Sequence, residues 1–96
     1  MTERSYTPSA SQASALDEIA GWIGQDPGRT GPCAFLAARI QERDGLCYRL
    51  VFDRIVRAAV DAGLSEAAAR TETFRGFAFA AAGYIEPPPA LAEGDD

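Results

Sequence analysis

The sequence predicts an all-α protein, a compact bundle of about four helices with a flexible N-terminal arm and a disordered acidic C-terminal tail. Apolar residues recur at intervals of three and four over four stretches, which is the period of a helix with one buried face. Turn-forming residues punctuate those stretches at Asp26-Pro27-Gly28, Asp44-Gly45 and Gly63, and a triple proline closes the last one. At 96 residues the chain is long enough for one core, and 47% hydrophobic against 24% charged residues places it among folded rather than disordered chains. It divides into an arm over residues 1–8, a helical domain over 9–86 and a proline-rich acidic tail over 87–96.

Helix one follows Pro8, with Ser9 or Ser11 available as caps and Ser14 with Asp17 as a second capping pair. Leu16, Ile19, Ala20 and Ile23 form its core stripe. Trp22 lies off that stripe, and Gly21 and Gly24 weaken the helix toward Gln25. After the turn at Asp26–Gly31, Pro32 suits the first turn of helix two, where its missing N–H needs no partner. Cys33, Leu36, Ala37 and Ile40 share one side of that helix, with Phe35 at the border and Arg39, Glu42 and Arg43 outward.

A short connection at Asp44–Leu46 makes helices two and three antiparallel neighbours. Helix three, Cys47–Ala62, has the clearest pattern: Cys47, Tyr48, Val51, Phe52, Ile55, Val56, Ala58, Ala59 and Ala62 lie on one broad side. Arg49, Asp53, Arg57 and Asp61 alternate in sign on the other, spaced for i,i+4 pairing. Leu50 and Val60 interrupt this polar side. Gly63 stops the helix and Ser65 caps helix four, in which Phe74, Phe77, Ala78, Ala81 and Ile85 form the stripe while Phe79 and Tyr84 lie off it. A strand over Phe74–Ala80 is the competing reading. Pro87–Pro89 end all helix, and the acidic residues after them should stay disordered.

The net charge of −5 disfavours non-specific attraction to nucleic acid or to an anionic membrane, although the stretch from Arg39 to Arg75 is close to neutral. No apolar run is long enough to span a bilayer and no secretion signal opens the chain, so the expected location is cytoplasmic. His is absent, which removes the usual general base near neutral pH and the commonest metal ligand. Cys33 and Cys47 are too few for zinc, and a continuous helix two would separate them by about 20 Å, so free thiols are expected. No facing pair of carboxylates and no phosphate loop occurs. An anion beside Arg29 at the start of helix two is a further ligand reading. No catalytic, metal or cofactor site is expected, and the chain is read as a non-enzyme.

Two segments resemble nucleic-acid-binding motifs. Val56–Thr73 resembles a helix-turn-helix, with Ala59, Gly63 and Leu64 at its Ala, Gly and apolar positions. Glu72 replaces a buried apolar residue of that motif, and Arg70 is the only basic side chain on the would-be reading helix. Arg75-Gly76-Phe77-Ala78-Phe79 resembles the RNP1 signature of RNA-recognition motifs, whose aromatics stack on bases from a strand.

The favoured reading is a small acidic protein–protein interaction module, acting stoichiometrically as an inhibitor, adaptor or regulatory subunit. Its partner is another protein or a second copy of itself. The candidate contact residues are the off-stripe apolar side chains Trp22, Leu50, Phe79 and Tyr84. Phage anti-CRISPR proteins, small inhibitors of nucleoprotein complexes, are similar in size and acidity, a similarity of character that no motif carries. A helix-turn-helix DNA-binding regulator is the alternative.

Overall fold

A computed structural model describes residues 10–90, and it is helical throughout its body. Helix α1 spans Ala10–Gln25, α2 Thr30–Asp44, α3 Tyr48–Asp61 and α4 Glu66–Ala81, with a single 3-10 turn at Pro27–Arg29 between α1 and α2. Among the described residues there is no strand, so Phe74–Ala80 is helix. The RNP1 resemblance falls with that result, because its aromatics need the alternating faces of a strand.

Local chemistry explains most helix ends. The Asp26 carboxylate accepts from the Gly28 N–H at 3.2 Å, and the Thr30 hydroxyl donates to the Pro27 carbonyl at 2.7 Å, which together fold the α1–α2 turn. Gly45, at φ 68°, takes the left-handed position after α2, and the buried Leu46 folds back over the helix end. Gly63, at φ 120°, does the same service after α3. Ser65 Oγ accepts from the Ala68 N–H at 3.1 Å and caps α4. Ser9 lies outside the described residues. Ser14 and Asp17 are not caps, since α1 begins upstream of them. Asp17 instead pairs with Arg54 of α3, tying the two helices at the surface.

Each helix contributes to one core, which includes Leu16, Ile19 and Ile23 of α1, Phe35 of α2, Val51 and Ile55 of α3, and Phe77 of α4. On α3 the expected face is inside, with Val51, Ile55, Val56 and Ala59 buried, but its edge is shallower than the pattern suggested. Tyr48 is exposed and Phe52 only half-buried, because both rings lean on Phe77 at the rim, at centroid distances of 5.0 and 5.4 Å. Phe52→Ala should therefore cost less than the roughly 3–5 kcal/mol of a fully buried Phe, as a chemical denaturation midpoint would register. The charged side of α3 faces solvent, yet among the described residues no ion pair links Arg49, Asp53, Arg57 and Asp61.

Helices α2 and α4 make the most extensive contact, and it corrects two of the stripes. On α2 Gly31, Ala34, Phe35 and Ala38 are buried along with the expected Cys33 and Ala37, and Leu36 turns outward. On α4 the buried row is Ala69, Thr73, Gly76, Phe77 and Ala80, which leaves Phe74 and Ala81 exposed and puts Ile85 beyond the helix altogether. Small residues make this possible. A Cβ on Gly76 would lie 2.6 Å from both the Ala34 Cβ and the Phe35 N, and would also collide with the Gly31 carbonyl oxygen. Backbones approach this closely only where a side chain is missing.

A buried ion pair sits at one end of this seam. Glu72 is almost fully buried, and its Oε1 accepts from Arg75 Nη2 at 2.7 Å beside Gly31, in the first turn of α2. The positive end of the α2 dipole favours a carboxylate there. The same Arg75 nitrogen donates to the Pro89 carbonyl at 2.8 Å, and Pro88 is fully buried. The proline segment thus packs as a strap on the helical body instead of belonging to a disordered tail, and of that tail only residues 91–96 lie outside the described residues. Arg75→Ala should destabilise by roughly 1–3 kcal/mol, because it leaves a buried carboxylate without its donor. Limited proteolysis should then cut near Pro89 more readily than in the wild type.

Candidate functional site

The outer side of the α1–α2 hairpin carries an apolar opening. Its lining comes from Ala15, Glu18, Ile19 and Trp22 of α1 and from Phe35, Leu36, Arg39, Ile40 and Arg43 of α2. Between these rows lies a groove of about 590 Å³, with Ile19, Phe35 and Ile40 toward its floor. The strap borders it through Ile85 and Pro87. A second hollow of about 370 Å³ continues toward the turn, past Trp22 and Leu36 to Cys33 and Arg29.

The groove exists because α2 spends its most apolar face on α4. Phe35 is 2% exposed while the adjacent Leu36 is 41% exposed, so the side chain that a hydrophobic stripe would bury is the one that faces outward. Trp22 is 43% exposed and Ile85 86% exposed, and both stand at the same opening. Large apolar groups clustered in this way differ from scattered single ones, which are ordinary on any surface.

The lips of the groove differ in charge. Arg39 and Arg43 stand on the α2 lip and Glu18 on the α1 lip. The Arg39 guanidinium lies 5.5 Å from the Phe35 ring centroid, held by the aromatic face, and has no ion-pair partner among the described residues. Arg43 shares its charge with Asp44 at 3.0 Å.

Of the contact residues named from sequence, Trp22 lines this groove and the adjoining hollow. Tyr84 and Phe79 form a ring pair at 4.5 Å on the neighbouring surface, where Phe79 is half-buried and Tyr84 exposed, and they connect to the groove through Ile85 and Pro87. Leu50 is also exposed but lines neither hollow, being one helical turn from Arg54 on α3. Helical spacing places Leu36 and Ile85 in the core and the proline run places Pro87 in the tail, yet all three line this groove.

The remaining ligand readings find other occupants. The start of α2 already holds the Glu72 carboxylate beside Gly31. On α4, Arg70 pairs with Glu66 at 3.2 Å, and Glu72, Thr73 and Gly76 pack on α2. Cys33 is buried and Cys47 partly so, and both are free thiols. Burial pushes the Cys33 thiol up, against an opposing pull from Arg29 and with Asp26 adding to the rise. Alkylation of the native protein should therefore modify Cys47 first, and Cys33 only as the chain unfolds, which mass spectrometry would resolve. Among the described residues no three His, Cys, Asp or Glu side chains come together to hold a metal ion, and no helix is long and apolar enough to cross a membrane.

Comparison with protein families, with curated proteins and with solved structures finds no significant match to this chain.

Proposed function

We propose that the chain is a small cytoplasmic protein-binding module, acting stoichiometrically as an inhibitor, adaptor or regulatory subunit, and that it engages its partner through the α1–α2 groove. The carrying observation is the apolar cluster of Trp22, Leu36 and Ile85 around one opening of a body whose remaining large apolar side chains are mostly packed. Burying such a cluster is the main favourable term in protein association, and an aromatic anchor set among aliphatic walls is the usual composition of an interface centre. Action by binding rather than by chemistry accords with this, because the groove is lined by side chains that offer no nucleophile with an adjacent base.

The helix-turn-helix alternative draws less support. Its reading helix would be the start of α4, where the one basic side chain is already paired within the helix and one face is committed to α2. Phosphate contact needs several free cations on one surface.

The test is co-purification from native lysate on immobilised wild type and on Leu36→Asp, with circular dichroism to confirm that the variant is folded. A specific protein held in stoichiometric amount by the wild type and lost by the variant is the expected result. Equal retention by both would remove the groove from the account, and enrichment of one DNA sequence would replace protein binding with the regulator reading.

A further inference from the structure

We infer that the groove receives a single amphipathic helix, about two turns of it in contact, whose flank toward α2 carries carboxylates. The inference rests on the docking reading above and specifies the chemistry of the partner.

The case for a helix comes from the backbone. Most of the groove is walled by α1 and α2, whose main-chain N–H and C=O groups are bonded internally, so an extended peptide would find main-chain partners only along the short strap at Ile85–Pro87. Elsewhere an occupant that buries its own main chain must satisfy it alone, and a helix does so. Dimensions agree. From Ala15 to Trp22 is seven residues, or about 10 Å at 1.5 Å per residue, which matches anchors at i, i+3 or i+4, and i+7 of a docked helix. Ile85 stands beside the opening as a third apolar surface, so such a helix meets α1, α2 and the strap together.

The case for carboxylates comes from the lips. Arg39 has no ion-pair partner among the described residues and is fixed over Phe35, so its charge is presented at the groove with part of its freedom already lost. Arg43, one turn further on, is already paired with Asp44, so the positive charge of the α2 lip is that of Arg39, with Glu18 on the α1 lip. Charge at a groove rim chooses among partners more than it adds to affinity, so the sign of the flank is where selectivity should appear.

Trp22 is the only Trp in the chain and stands in the groove, so its emission reports occupancy without a label. Two Trp-free 14-residue helical peptides serve as probes, sharing Leu at i, i+4 and i+7 and carrying either Glu or Lys at the flanking positions. At low salt the Glu peptide should shift Trp22 emission to the blue and bind roughly three- to tenfold more tightly than the Lys peptide, with the gap closing at high salt. Arg39→Glu should reverse the preference, Leu36→Asp should abolish both titrations, and a central Pro in the Glu peptide should weaken it at least about tenfold by breaking the helix. Equal or stronger binding of the Lys peptide would overturn the charge assignment. Undiminished binding of the Pro peptide would overturn the helix. A dimer in sedimentation equilibrium that Leu36→Asp dissolves would assign the groove to a second copy and overturn the inference as a whole. Failure of both peptides, with a lysate partner still lost in Leu36→Asp, would sink the helix while leaving the docking reading intact. A partner indifferent to Leu36→Asp would sink the docking reading itself.

Discussion

Gly76→Ala should destabilise the protein by about 3 kcal/mol or more, although the same change in an exposed helix would stabilise it. Replacing a mid-helix Gly by Ala ordinarily gains up to about 1 kcal/mol through backbone entropy. Here the new methyl would meet the Ala34 Cβ and the Phe35 N, each 2.6 Å away, and the Gly31 carbonyl oxygen nearer still. Two of these atoms belong to the α2 backbone, so relief requires the two helices to move apart. Overpacking commonly costs about 1–3 kcal/mol, and the rigid obstacle places this site at the upper end or beyond. Gly21→Ala and Gly24→Ala supply the contrast. No atom lies within 4 Å of a Cβ at either position, so both should be neutral or stabilising by up to about 1 kcal/mol. Urea denaturation of the three variants checks the set, and a Gly76→Ala midpoint equal to the wild type would mean that α2 and α4 do not pack as closely as described.

Phe35→Ala should cost roughly 3–5 kcal/mol, a large share of the roughly 5–15 kcal/mol expected for a domain. The ring is 2% exposed and is among the largest fully buried side chains. Truncation would leave a cavity beneath the α1–α2 groove, whose floor the ring forms. A second consequence separates this site from the rest of the core. Arg39 would lose the ring beneath its guanidinium and the groove would lose part of its floor, so Trp22 emission should shift in the folded variant as well. The measurement is a denaturation curve together with the native emission spectrum. A cost under about 1 kcal/mol would show that Phe35 is not a core residue.

The helices themselves were legible because each is announced by its breakers. Asp26-Pro27-Gly28, Gly45 and Gly63 occupy the turns that the sequence assigns to them, and Ser65 makes the capping bond expected of it. The face of α3 was legible because its periodicity is strong, down to the exposed Arg49, Asp53 and Arg57. The faces of α2 and α4 were legible only in part: Cys33, Ala37 and Phe77 are buried as their spacing predicts, whereas Leu36, Phe74 and Ala81 are exposed, and both failures have one cause. Hydrophobic spacing assumes that large apolar residues mark the inside, but a close helix–helix contact is made by small ones. Gly31, Ala34 and Ala38 on one helix and Ala69, Gly76 and Ala80 on the other recur at the required intervals. Gly76, which by intrinsic propensity weakens α4, is the residue on which the contact depends.

That error propagated to the candidate site. With Leu36 and Ile85 assigned to the core, Trp22 stood as an isolated off-stripe residue and Leu50 had equal standing with it. Once α2 is turned to bury Phe35, Leu36 joins Trp22 across the hairpin, and Ile85 arrives beside them only because Gly83, at φ 86°, redirects the chain after α4. No local pattern reports such a meeting of α1, α2 and the strap. The Arg75 bond to Pro89 that helps fix the strap is equally invisible to spacing, since it spans 14 residues between elements of unlike structure.

Docking at the groove is tested most directly by hydroxyl-radical footprinting of the chain alone and in complex with the protein it retains from lysate. Radical attack reads the solvent access of individual side chains, and both the groove and the exposed face of α4 carry reactive ones. Binding through the α1–α2 hairpin predicts protection of Trp22, Leu36 and Ile85 on complex formation, with the 61%-exposed Phe74 of α4 unchanged. Protection of Phe74 with Trp22 and Leu36 unchanged would contradict it and move the interface to α4.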